Sequence, residues 1–283
     1  MQTIHDIATL RRTLGEARRA GRRIGLAPTM GNLHRGHLAL VAEARRRADL
    51  VVASIFVNPL QFGPDEDFAS YPRTLDADRA ALEDAGCDIL FAPAAEAIYP
   101  RGTGASSTVH VPDVSEGLCG ARRPGHFDGV STVVSMLFNL VQPDLACFGE
   151  KDYQQLAVIR RMVTDLHFPV EIVGVPIVRA EDGLALSSRN GYLSAEQRAR
   201  APRLQAVLAA TREALAGGEA PDAALREGLV RLTEAGFKPD YLELRRADDL
   251  GPVTDATREA VLLAAAHLGA ARLIDNLPVT LPR

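Results

Sequence analysis

The chain has no tryptophan and only three cysteines, Cys87, Cys119 and Cys147, which are far apart and odd in number. No CxxC pair occurs. A disulfide framework and a cysteine zinc site are therefore not expected, and a reducing, cytoplasmic setting is. No run is long and apolar enough to span a membrane. The opening MQTIHDIATLRRTL is amphipathic and charged, without the apolar core of a signal peptide. An excess of positive charge is missing too. The formal net charge of −4 argues against a nucleic-acid binder with a broad basic face, yet leaves room for a local basic pocket. Common signatures are also absent. There is no GxxxxGK followed by Ser or Thr, no GxGxxG after the first strand, no HExxH and no GxSxG.

What is present is ordinary globular composition: 283 residues, 47% hydrophobic and 24% charged, enough for one large domain or two modest ones. Apolar spacing predicts a helix over 4–20. A buried strand follows from Ile24 and breaks at Pro28, then a helix over 36–47 and a continuously apolar strand over 50–56. The pattern continues with a helix over 74–85, a strand over 89–92, and a Gly-, Pro- and Ser-rich excursion over 93–124 with one strand at 108–111. Then come a helix over 129–141, a strand over 145–148, a helix over 154–166 and a strand over 170–175. This alternation implies βαβ units: an α/β, Rossmann-like, mostly parallel sheet with helices on both faces. After Ile177 the pattern changes to helices over 195–216 and 223–235 and strands over 241–245, 260–267 and 272–275. We expect a domain over 1–177 and a smaller C-terminal α+β domain over 178–283.

Three loops carry candidate chemistry. In IGLAPTMGNLHRGHLAL (24–40), a strand passes through small residues into a helix flanked by His34 and His37. A strand, a turn and a helix N-terminus form a common anion corner, and the amides of the first helical turn are expected to add donors to those of the histidines. Zinc would need three or four ligands, and no third one has matching local spacing. Gly149-Glu150-Lys151-Asp152, with Gln154 and Gln155, again follows a strand and suits phosphate and ribose. Ser187-Ser188-Arg189 offers two hydroxyls and a guanidinium to phosphate oxygens. Taken alone, this third loop is equally at home as ordinary polar surface, whereas two histidines flanking a glycine at such a corner are less easily read that way.

HRGH opening a helix after the first strand, with a later Lys- and Ser-rich loop, resembles the HIGH-type nucleotidyltransferase superfamily. Much more of the chain resembles the pantoate–β-alanine ligase family. The matching stretches are PTMGNLHRGH (28–37), FVNPLQFGPDEDFASYPRTLDAD (56–78), RPGHFDGVSTVV (123–134), FGEKDYQQL (148–156), VGVPIVRAEDGLALSSRNGYLS (173–194) and ARLIDN (271–276). One departure is Met136, where the family has lysine, and that position is given no role.

The resemblance implies a two-step reaction. Pantoate attacks ATP to give pantoyl adenylate and pyrophosphate, and β-alanine then displaces AMP. It implies that Met30, Gly31, Asn32, Leu33, His34, Arg35, Gly36 and His37 line the ATP site, with His37 credited as proton donor. His34, Lys151, Ser187, Ser188 and Arg189 would hold phosphates. Gly149, Glu150, Lys151, Asp152, Val178 and Leu186 would complete the ATP site. Gln61 and Gln155 would hold pantoate, with Gln61 also facing β-alanine. Mg²⁺ would accompany the triphosphate without a protein metal site. The polar loop after residue 177 and the C-terminal domain would form a lid over a cytoplasmic homodimer's site. A nucleotidyltransferase that stops at a dinucleotide-like product, and a nucleotide-binding regulator without turnover, stay as competing readings.

Overall fold

In the computed structural model, which describes residues 1–64 and 66–282, two sheets carry the fold. Six strands are parallel: β1 (Gln2–Ile4), β2 (Ile24–Thr29), β3 (Leu50–Ile55), β4 (Ile89–Phe91), β5 (Leu145–Gly149) and β6 (Glu171–Val175), in the order β1-β4-β3-β2-β5-β6. Strands β7 (Lys238–Arg246), β8 (Glu259–Leu268) and β9 (Ala271–Thr280) form an antiparallel meander.

Alternation along the inner strands sends side chains to opposite faces. Val51, Ala53, Leu145 and Cys147 face one apolar layer with α2 (Arg35–Arg47) and α3 (Leu75–Asp84). Leu50, Val52, Ala146 and Phe148 face the other, against α1 (Ile7–Arg19), α6 (His126–Val141) and α7 (Tyr153–Asp165). Two short helices, α4 (Ala95–Ile98) and α5 (Leu118–Arg122), lie in the chain between β4 and α6. Three more, α8 (Ala195–Arg200), α9 (Arg203–Ala216) and α10 (Pro221–Glu234), lie between β6 and the meander. The meander is covered on one face by α9 and α10, through Leu242, Leu244, Leu262 and Ala264. Its other face, Tyr241, Val261, Leu263 and Ala265, joins the same apolar cluster as Phe127 and Leu156. No helix among the described residues is long and apolar enough to cross a membrane.

The chain order reverses between β2 and β5, and this is where an open parallel sheet places its ligand crevice. Pro28 does not end β2, as its sequence suggests. The strand runs on to Thr29, with Pro28 opposite Ser54 of β3. Thr29 O accepts from Phe56 N, so alternation turns Pro28 away from β3, towards β5. Pairing with β5 has already stopped at Leu26, and the missing N–H of Pro28 costs no ladder bond.

Three other expectations change. The helix expected from Ile4 starts only at Ile7, and Ile4 instead ends a strand, Gln2–Ile4, that pairs with Ile89–Phe91. Residues 108–111 form no strand, because Val109 N is taken by the Thr132 hydroxyl and Val109 O by Ser131. The helix expected over 195–216 breaks into α8 and α9 around Pro202, which lacks the N–H a continuous helix needs.

Candidate active site

At the carboxyl end of β2 the chain turns through Gly31 (φ 83°) and Asn32 (φ 50°) into α2. The left-handed pair needs an anchor, and Asp78 of α3 supplies it. Its carboxylate accepts from Asn32 N at 2.9 Å and Leu33 N at 2.8 Å, and from the Thr74 hydroxyl at 3.1 Å. A Cβ on Gly31 would lie 3.0 Å from Asp78 Oδ2, so glycine suits both the turn and the contact.

His34 is the N-cap of α2. Its Nδ1 accepts from Gly36 N at 3.1 Å, and His37 Nδ1 accepts from His34 N at 3.2 Å, forming a reciprocal capping box. The rings lie 4.0 Å apart, centroid to centroid. Each ring nitrogen that accepts an N–H carries no proton, so both imidazoles are neutral Nε2–H tautomers. Their environment agrees. Burial, then the neighbouring His37 and Lys151, pushes His34 down to about 3, while burial pushes His37 down to about 4 against the pull of Asp152.

This revises the expected anion corner. Gly31 N bonds Thr29 Oγ1, Asn32 N and Leu33 N bond Asp78, and His34 N and Gly36 N bond the imidazoles. His37 N and Leu38 N bond His34 O. These seven amides are thus committed inside the protein, and the imidazole Nε2–H groups add donors for a ligand.

Lys151 sits in a tight turn, Glu150–Asp152, after β5. Asn276 of β9 holds it by donating to Glu150 O at 2.9 Å and Lys151 O at 3.1 Å. Beside it, Asp275 is buried and paired with Arg179 at 2.6 Å, which ties β9 to the loop after β6. Gln155 lines the site. Gln154, expected beside it as a ligand contact, has its amide engaged within the protein. Its amide accepts from Cys119 N and donates to Val114 O and Glu116 O, consumed in pinning the 114–119 segment.

In the third loop, Ser187 Oγ accepts from Arg189 N at 3.3 Å and keeps its own proton to donate. Ser188 donates to Asn32 O at 3.0 Å, so this loop bonds directly to the histidine turn. Arg189 is paired through Nε and one Nη with Asp67, at 3.1 and 2.9 Å, which leaves its other Nη for a substrate.

Gln61 lies in the 3-10 turn Pro59–Gln61 and is 9% exposed. Asn58 fixes which way its amide faces. Asn58 donates to Gly129 O at 3.0 Å and to Gln61 Oε1 at 3.1 Å, and its oxygen accepts from the Tyr99 hydroxyl at 2.6 Å. The amino end of Gln61 is turned to Met30 Sδ, 3.0 Å away.

These groups converge on a cavity of about 220 Å³ lined by Met30, His34, Gly36, His37, Gln61, Gly149, Lys151, Asp152, Gln155, Val178 and Leu186–Arg189, over an apolar floor of Val130, Val133, Val134 and Leu137. An adjoining cavity of about 400 Å³, towards β7–β9, shares Lys151, Asp152, Gln155, Ser187 and Arg189 as a common wall. Five expected residues do not line the first cavity. Gly31, Asn32 and Leu33 form the turn behind it, Arg35 is exposed, and Glu150 lies over Gly174 of β6. Sequence reasoning gave no role to Asn58, Asp78, Tyr99 or Asn276. Asp78 reads as a routine first-turn acid of a helix, and Asn276 as one polar residue in a strand.

Comparison with known proteins places the chain as a whole. The family model for pantoate-beta-alanine ligase matches residues 2–278. A pantothenate synthetase of Chromohalobacter salexigens is 68% identical over 283 residues, covering 100% of both chains. The crystal structure of pantothenate synthetase from Thermus thermophilus has 53% identity and a TM-score of 0.92, covering 98% of this chain and 99% of that one. The pantoate-β-alanine ligase of Francisella tularensis, solved in complex with beta-gamma ATP and β-alanine, has 31% identity and a TM-score of 0.84, covering 98% and 97%. With likeness of this degree running the full length of the fold, the chain belongs to the pantoate–β-alanine ligase family.

Proposed function

We propose that the cavity at the β2–β5 switch point is where ATP and pantoate react in the pantoate–β-alanine ligase activity of this chain. The observation that carries the assignment is convergence. Two neutral imidazole N–H donors, an ammonium, a free hydroxyl proton and two amides line one cavity above an apolar floor. The branched hydrocarbon of pantoate suits that floor, and its oxygens suit the amides of Gln61 and Gln155. The pantoate-β-alanine ligase of Francisella tularensis was solved with beta-gamma ATP and β-alanine, which supports ATP and β-alanine as ligands here.

In the first step a pantoate carboxylate oxygen attacks the α-phosphorus, the bond to the bridging oxygen breaks, and pyrophosphate leaves. Charge grows on the leaving oxygens, so positioning and preorganised donors do most of the work. His34 and His37 meet that charge as neutral donors, and the triphosphate raises both pKa values towards the range where a proton can be passed. Lys151, Ser187 and the free Nη of Arg189 hold the phosphates. Neutral glutamines leave the pantoate carboxylate free to attack, where an arginine clamp would hold it back. In the second step the β-alanine amine attacks the acyl carbon and AMP departs. Water would hydrolyse the mixed anhydride, so the 179–190 loop is assigned as the closing element, with the 178–283 unit as the lid that carries it.

Mg²⁺ fits as an ion brought in on the triphosphate, whose charge it neutralises. No group of three or more His, Cys, Asp or Glu suited to a metal lies among the described residues, and Mg²⁺ commonly binds through phosphate oxygens and water. Three free, buried thiols support a reducing cytoplasm as the setting. The expected homodimer is checked by sedimentation.

Pyrophosphate–ATP exchange tests the assignment. Exchange should require pantoate and Mg²⁺ but not β-alanine, and β-alanine should release free AMP. Exchange that proceeds equally without pantoate overturns the reading.

A further inference from the structure

The turn that precedes the histidines is built to bind an anion, yet the anion it holds is the protein's own. Two successive residues with positive φ, Gly31 and Asn32, turn the amides of Asn32 and Leu33 towards one point. There they meet the two oxygens of Asp78, one each, at 2.9 and 2.8 Å. Asp78 is 3% exposed. It stands in the first turn of α3, where the helix dipole favours a carboxylate, and Thr74, the residue at the head of that helix, steers one oxygen from 3.1 Å.

We propose that Asp78 is a positioning residue for the histidine pair, acting on ATP through the 31–33 turn and touching no substrate itself. The chain of contacts is short. Asp78 fixes Asn32 and Leu33, and Leu33 leads directly into His34. His34 caps α2 through Gly36 N, and its own N–H sets the tautomer of His37. Both imidazoles therefore point Nε2–H into the cavity only while the turn is held. Asn32 O also receives Ser188, so the same turn sets one edge of the phosphate loop. The side chain at 78 must accept twice. Asparagine has the same shape but a single acceptor, and would set an NH₂ against one of the two amides.

The inference rests on the histidines serving ATP, and the experiment separates the two. Asp78→Asn, His37→Ala and the double variant are compared by pantoate-dependent pyrophosphate–ATP exchange. Asp78→Asn should lower kcat/KM for ATP by about ten- to a hundredfold while leaving KM for pantoate within about twofold. Combined with His37→Ala it should add little, because both act on one group. Imidazole ¹⁵N spectra should show His34 and His37 as Nε2–H tautomers in the parent and as a mixture in Asp78→Asn. Thr74→Val, a milder change that removes only the steering hydroxyl, should shift the same quantities in the same direction by a smaller factor. An additive double variant, or unchanged tautomers in both Asp78→Asn and Thr74→Val, overturns the role of Asp78. If instead His37→Ala leaves exchange unchanged, the histidine assignment itself fails.

Discussion

On the wall of the cavity formed by β2 and α2, the histidines bond to amides two and three residues away, and Asp78 closes the turn from 46 residues on. On the wall carrying Lys151, Ser188 and Arg189, the bonds that set each loop join residues 122 to 156 apart. The first wall is local and internally satisfied. Its donors are two neutral rings whose charge is held down by burial. The second wall is assembled from β5, the 179–190 loop and β9, and supplies the full positive charges. The difference separates two tasks. A prepaired corner sets direction, and a long-range assembly brings charge only when the whole chain is folded.

The largest effects should come from removing one donor from each wall. His37→Ala and Lys151→Ala should each lower turnover by about two to three powers of ten. Salt should distinguish them: the Lys151 contribution is a full charge and should weaken as ionic strength rises, while that of a neutral imidazole should not. A common salt response would erase the distinction between the walls.

Asn276→Ala should have an intermediate effect. It leaves the part-buried carbonyls of Glu150 and Lys151 without their shared donor, a loss of about 1 kcal/mol. KM for ATP should rise about tenfold. Histidine tautomers should stay unchanged, because no contact from Asn276 reaches the first wall.

The pH response acts on stability and proton uptake and changes turnover least. Native His34 and His37 titrate near 3 and 4, below the ordinary value of about 6.5 for an unfolded chain. The unfolded state therefore binds protons first as pH falls. The contribution of these residues to stability is complete above about pH 6.5 and is lost progressively between there and pH 3–4. His126, pushed down to about 4 by burial and by Arg123, adds to the same loss. Nucleotide binding should reverse the shift and take up a fraction of a proton near pH 6. Calorimetry in buffers of different ionisation enthalpy measures it, and zero uptake would show that the triphosphate does not face the rings.

The sheet was legible where apolar period and length agree, as at Leu50–Ile55 and Leu145–Gly149. It was illegible where pairing partners decide. Gln2–Ile4 becomes a strand only by lying along Ile89–Phe91, and Ile4 alone shares helical spacing with Ile7. The three loops of the site were legible because charged and hydroxyl residues stand at strand ends. Their internal bonding was not. Nothing in HRGH shows that the backbone amides beside it are already taken. Nor does an aspartate in TLDAD reveal that it reaches Asn32, because that contact depends on how α3 lies against β2.

The face of the meander made by Tyr241, Val261, Leu263 and Ala265 lies in the same apolar cluster as Phe127 and Leu156. That shared layer removes any seam along which the chain could melt in halves. Heating should give a single cooperative transition, and a fragment cut near residue 177 would carry an oily surface into water. Occupancy at the histidines would then be felt at the far terminus, as slower proteolysis of α9 and α10, which no bound molecule touches.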